Sequence, residues 1–427
     1  MEKTDAVPGD YIEIHLTKLI YEGILLEVPE TEKGIVLLKL DSGYNIGFNK
    51  KDILKIVVLR KEKEKKPVGF EIKQNPEKKN IAIIITGGTI ASSYDPRTGG
   101  VHPLTSPEGL FKFYPELFDK VNVVKVEVPF MKWSEDMDYK DWQKLAKTSV
   151  KLLNDRNISG IIITHGTDTL HYTSSALSFF LRNLNKPVVL TYSQRSIDRA
   201  SSDANLNLQC SALAAISDIA EVILVGHAST NDDYCYALPG AKTRKLHTSR
   251  RDAFKVINGK PIAKIFPEKI EVISDYKRRN KNKVEADTVF EEKVALVKFY
   301  PGQNPDILDY YLKNKYKGIV LEVVGIGQVA TSSRNSWIRK LKEVQNKGIV
   351  VCAVSQCING RVDPFVYSSG REIFSTGVIY LEDMLAETAF VKLGWVLGHE
   401  EWRKNKKIVK EKMLENFSGE LNNRLEQ

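Results

Sequence analysis

From residue 80 onward the chain alternates short apolar runs with amphipathic stretches, and this alternation restricts the fold more than any other feature. The runs fall at 81–85, 121–128, 160–164, 188–192 and 222–225. A strand with one wet face alternates apolar and polar residues, whereas a continuous apolar run fits a strand covered on both faces, hence a parallel sheet. Between the runs, Trp142, Leu145, Ser149 and Leu152 recur at helical spacing, as do Leu170, Leu177, Phe180, Leu181 and Leu184. The pattern predicts an open α/β domain whose ligands gather beyond the carboxyl ends of the strands.

The 427 residues suggest two or three domains. Residues 1–70 read as a small β-barrel-like domain, with short alternating runs at 11–16, 23–28, 34–40 and 43–48 separated by turn-prone stretches. Charged and polar segments at 60–66 and 73–80 read as a linker. A large α/β domain is expected over 78–275. A second polar stretch at 275–293, with Lys-Arg-Arg-Asn-Lys-Asn-Lys at 277–283, reads as an interdomain linker. A smaller α/β domain is expected over 290–427, with strands at 294–299, 318–324 and 348–354, a helix over 381–397 and a charged terminal helix. A net charge of +9 permits contact with an acidic partner such as RNA without requiring it. No run is long enough for a membrane helix, and Met1-Glu-Lys-Thr-Asp5 lacks the pattern of a signal peptide. Cys210, Cys235, Cys352 and Cys357 form no CxxC pair, so they read as buried thiols in a reducing, cytoplasmic protein.

Three segments carry chemistry. Ile83-Ile-Ile-Thr-Gly-Gly-Thr-Ile90 is a strand running into a Gly-Gly turn that ends on Thr89. Such a turn lets backbone approach a ligand, but it equally suits a tight βα turn or a phosphate loop. Gly160-Ile-Ile-Ile-Thr-His-Gly-Thr-Asp-Thr169 repeats the design, with the Thr167 hydroxyl beside the Asp168 carboxylate. Those two residues could instead cap a helix beginning near Leu170, and both readings can hold together. The third segment, 242–254, is basic; it could be a nucleic-acid patch, and it contains Lys245, a possible base.

Together these segments resemble the bacterial-type asparaginase/glutaminase family. The run at 86–91 and His165-Gly-Thr-Asp-Thr169 are similar to its two signature motifs, and Lys245 falls where its catalytic lysine lies. Ser134-Glu135-Asp136-Met137 is similar to the segment that binds the substrate's α-carboxylate and α-amino groups, with Glu135 where the family usually has Gln. The resemblance implies that Thr89 attacks a side-chain amide to form an acyl-enzyme, releasing ammonia before water hydrolyses the ester. It further implies that Lys245 activates Thr167, that Asp168 orients Lys245, and that Gly88 and Gly166 bring backbone to the substrate. The family's mobile Tyr has no counterpart at Tyr94 or in Gly99-Gly-Val-His102. An amide-bearing residue, often supplied by a neighbouring subunit, maps near Gln328. His165 and His102 are expected to pack turns.

The N-terminal unit narrows the resemblance. With Pro8-Gly-Asp-Tyr-Ile-Glu13, Tyr21-Glu-Gly-Ile-Leu-Leu26, the 245–254 segment, Ser355-Gln-Cys-Ile-Asn-Gly-Arg-Val362, Glu382-Asp-Met-Leu-Ala-Glu-Thr-Ala389 and Lys392-Leu-Gly-Trp-Val-Leu-Gly-His399, it resembles the D subunits of archaeal-type glutamyl-tRNA(Gln) amidotransferases. That resemblance implies a chain that takes ammonia from glutamine or asparagine and passes it to a partner E subunit. The partner would bind Glu-tRNA(Gln) and use ATP and Mg²⁺; no cofactor or metal is expected in this chain. A homodimeric core carrying two E subunits is expected. The alternatives are a stand-alone L-asparaginase and a non-enzymatic binding module; the presence of Thr89, Thr167, Asp168 and Lys245 argues against the second.

Overall fold

The computed structural model describes residues 5–28, 34–41, 45–61, 74–94, 101–103, 114–195 and 202–424. Most of the turn at 29–34, most of the charge run at 60–66 and the start of the Gly99–His102 stretch lie outside them. The N-terminal unit is an antiparallel sheet of five strands, Tyr11–His15, Ile20–Leu26, Ile35–Lys39, Asn45–Asn49 and Lys55–Arg60. Alternation drives it: Ile12, Ile14, Val36 and Leu38 point inward to one small core with Phe48 and Ile53. Among the described residues its two outer strands do not pair with each other, so the small β domain expected is an open antiparallel sheet.

Eight strands form the central sheet, in the order Ile270–Val272, Ala263–Ile265, Cys235–Pro239, Val222–His227, Val188–Thr191, Ile161–Thr164, Asn80–Ile85, Asn122–Glu127. The last five, which are the five expected runs, run parallel as expected, and three further strands are added antiparallel at one edge. Apolar runs are continuous because both faces are covered. Ile81, Ile83 and Ile85 face the core under helix Ala204–Ile216, while Ala82 and Ile84 face that of helices Tyr139–Leu153 and Leu170–Phe180. Along the parallel strands the chain passes first to one side of Asn80–Ile85 and then to the other. The direction reverses between Asn80–Ile85 and Ile161–Thr164, and a crevice opens where connections leave two adjacent strands in opposite directions.

The expected helix over 170–184 stops at Phe180, because Leu181–Arg182 pairs as a short strand with Glu285–Ala286 and Asn183 takes a left-handed φ of 56°. The 275–293 stretch is therefore not a free linker. Arg279 donates to Ala215 O and Ser159 O, and Phe290 packs edge-on against Trp142 and Phe180. Four parallel strands, Val294–Lys298, Gly318–Val323, Val350–Ser355 and Ile379–Tyr380, build the second α/β unit. Its helix begins at Ala386 rather than 381 and runs to Gly398, and the expected terminal helix is two short ones, Glu400–Arg403 and Lys406–Leu414. Helix Ala386–Gly398 lies on helix Leu170–Phe180, and Trp395, Leu393 and Cys352 share one core with Phe179 and Phe180. Three cysteines are buried as expected; Cys357 is exposed. No helix of the described residues is long and apolar enough to cross a membrane.

Candidate active site

Both glycine turns sit at the reversal point, beyond the carboxyl ends of Asn80–Ile85 and Ile161–Thr164. Thr86 fastens them, its Oγ1 donating to Thr164 O at 2.8 Å. A Cβ on Gly88 would meet Gly166 N at 2.5 Å, and one on Gly166 would meet Ser134 Cβ at 2.9 Å. Three segments separated in sequence are thus drawn together, backbone against backbone at Gly88 and Gly166 and with the Ser134 side chain against Gly166. Thr89 and Thr167 each follow one member of the Gly88–Gly166 contact. Ser134 is buried and Glu135 exposed on the turn Ser134–Asp136. Thr169 ties that turn to the second motif, its Oγ1 donating to Ser134 O at 2.6 Å.

Gly88 also has a φ of 83°, which side chains rarely adopt. Gly88→Ala therefore meets strain and a backbone clash at once. We expect it to abolish ammonia release and to lower stability by roughly 1–3 kcal/mol, read by assay and chemical denaturation.

Lys245 enters from the hairpin of Thr243–Lys245 with Phe254–Val256, in which it pairs with Phe254. Its Nζ donates to Thr167 Oγ1 and to Asp168 Oδ1, both at 2.7 Å. The ammonium end is nearly enclosed, with 10% of the side chain exposed, while Asp168 stands 65% exposed and so faces incoming solute. The capping alternative fails. Helix Leu170–Phe180 takes Thr169 as its N-cap, with no side-chain cap bond, and the Thr167 and Asp168 side chains are engaged by Lys245 instead.

His165 is fully buried between the motif and the helix behind it. Its Nδ1–H donates to Gly166 O at 2.7 Å, which leaves Nε2 to accept from Thr173 Oγ1 at 2.9 Å. Burial pushes its pKa down to about 4 from 6.5, against the opposing Gly166 bond. Burial, then Arg244 and Lys245, pushes neighbouring His171 to about 3. Both folded values lie below the unfolded one, so acid favours the unfolded chain. Stability should fall as pH drops from about 6.5 to about 4, by on the order of 3 kcal/mol per histidine. Chemical denaturation across that window checks this, and a His165→Asn chain should show a shallower slope.

Gln328 lies in the second α/β unit, accepts from Ser369 Oγ at 2.5 Å, and is not gathered by the two turns. The Tyr94 and His102 side chains are not described. The sequence alone assigned no role to Thr169, Thr173, Lys242 or Asp383, although Thr169, Lys242 and Asp383 lay inside segments singled out there. Among the described residues no group of three or more His, Cys, Asp or Glu could hold a metal ion.

Residues 80–278 match the family Asparaginase, N-terminal, and 293–410 match the Glutaminase/Asparaginase C-terminal domain. In solved structures, the L-asparaginase of Thermococcus kodakarensis superposes with a TM-score of 0.71 at 28% identity, over 81% of this chain and 100% of its own. L-asparaginase I of Vibrio cholerae gives 0.67 at 27%, over 81% and 99%. The N-terminal sheet decides the subgroup, because residues 6–59 match the GatD N-terminal domain. The D subunit of glutamyl-tRNA(Gln) amidotransferase from Pyrococcus furiosus is 47% identical over 97% of this chain and 94% of its own length. The chain belongs to the family of amidotransferase D subunits. The Methanobrevibacter smithii member is 44% identical over 99% and 95%. Asparaginases are thus relatives of this GatD-family chain in its α/β units, and the amidotransferase subunits are relatives along nearly its whole length.

Proposed function

We propose that this chain is the ammonia-supplying amidase subunit of a tRNA-dependent amidotransferase. The observation that carries the chemistry is Lys245 bonded to both Thr167 and Asp168 at the reversal point of the sheet. Thr89 Oγ attacks the side-chain amide carbon of glutamine or asparagine and gives up its proton. The C–N bond breaks, ammonia leaves with that proton, and an ester to Thr89 remains. Water, with Thr167 and Lys245 carrying its proton, hydrolyses the ester and frees the acid. Asp168 orients Lys245 and meets the substrate's ammonium. Ser134 and Glu135 bind its α-groups, and backbone at Gly88 and Gly166 lines the oxyanion side.

Ammonia then passes to a partner E subunit, which binds Glu-tRNA(Gln), activates it with ATP and Mg²⁺, and completes Gln-tRNA(Gln). This division supports a cytoplasmic assembly on a homodimeric core, with domains at 1–70, 78–275 and 290–427. Ammonia release from glutamine and asparagine by the chain alone, and then with E subunit and Glu-tRNA(Gln), tests the reading. Slow release alone and fast release in the complex is expected. Fast release that ignores both additions would make the chain a stand-alone L-asparaginase.

A further inference from the structure

Three cations lie within four residues of the catalytic hairpin, Lys242, Arg244 and Lys245, and they part company. Lys245 reaches Thr167 and Asp168 in the first α/β unit. Lys242 turns to the second unit, where its Nζ donates to Asp383 Oδ2 at 2.7 Å with side chains 6% and 0% exposed. Arg244 pairs with Glu387 Oε1 at 3.1 Å, and Glu387 is 8% exposed. A buried ion pair adds little net stability, because desolvating both charges offsets their attraction, but it holds a narrow geometry.

Asp383 is itself fixed from two sides. Its Oδ1 accepts from Asn422 N at 2.9 Å, and Asn258 Nδ2 donates to Asp383 O at 3.1 Å. Asn258 follows the strand Phe254–Val256, so both arms of the hairpin are pinned to the second unit.

We propose that Asp383 and Glu387 are positioning residues for the amidase, which set Lys245 Nζ against Thr167 and Asp168 by fixing Lys242 and Arg244. The proposal rests on the reading of Lys245 as a catalytic residue. It gives the second unit a part in the chemistry without supplying a reacting group. A displacement near one ångström in a reacting group costs on the order of 10²-fold in rate.

The test uses the full-length chain assembled with its partner. Asp383→Asn and Glu387→Gln should each lower kcat for ammonia release, toward 10²-fold in Asp383→Asn, with KM little changed. The double variant Lys242→Met with Asp383→Asn removes both buried charges and keeps an Oδ1 to accept from Asn422 N, so it should hold the thermal midpoint near that of wild type and still turn over slowly. Full activity in that double variant, or kcat that falls and recovers only in step with the thermal midpoint, overturns the proposal. Lys245→Ala run alongside separates the two readings. If it stays active, the catalytic lysine itself is misassigned; if it is dead while Asp383→Asn is fully active, only the positioning role fails.

Discussion

Lys245→Ala should lower ammonia release by on the order of 10²–10⁴-fold, with the thermal midpoint near that of the parent chain. The loss follows from the geometry. Lys245 is the cation bonded to the Thr167 hydroxyl and the Asp168 carboxylate, and alanine leaves that pair without a proton carrier. Its neighbours Lys242 and Arg244 point to the second unit and cannot substitute. On the proposed mechanism Thr89→Ala should be at least as severe, and Thr89→Ser should keep partial activity. Initial rates with glutamine and with asparagine measure all three. Activity surviving in both alanine variants would refute the threonine mechanism.

The second large effect concerns stability. Lys392 and Glu420 are both fully buried and pair at 2.6 Å, and the same ammonium donates to Met413 O at 3.0 Å and to Glu415 O. Lys392→Met deletes every one of these donors and leaves a carboxylate and two carbonyls in the interior. We expect a loss of about 3–5 kcal/mol, seen as a lower denaturant midpoint. Pairing it with Glu420→Gln should restore part of that loss, because no charge is then stranded and the amide oxygen still accepts from the backbone N–H of Phe417 or Ser418. No recovery would assign the energy to the backbone contacts of the two side chains rather than to the stranded charge.

Much of the scaffold was legible because burial writes itself into local composition. Ile81–Ile85 and Ile161–Thr164 are apolar without a break for the plain reason that their alternate side chains serve two cores. What lay hidden was anything set by partners distant in sequence. The antiparallel strands Cys235–Pro239, Ala263–Ile265 and Ile270–Val272 are short and carry no directional mark. Helix Leu170–Phe180 ends early because Glu285–Ala286, a hundred residues on, claims Leu181–Arg182. The second motif was visible as a turn, and its capping alternative was removed only when Lys245 was seen to occupy Thr167 and Asp168. Lys242 read as one more basic residue, since its carboxylate lies 141 positions later.

That separation also orders the birth of the enzyme. The turns bearing Thr89 and Thr167 and the lysine hairpin all leave the ribosome before Asp383 and Glu387 exist. At about 5–20 residues per second, the wait over the 141 positions between Lys242 and Asp383 is roughly 7–28 s. During it, Lys242 and Arg244 lack the carboxylates they pair with in the folded chain. Asn422, which holds Asp383 in turn, appears later still. A chain still short of Asp383 and Glu387 therefore carries Thr89, Thr167 and Lys245 without the two carboxylates that tie the lysine hairpin to the second unit.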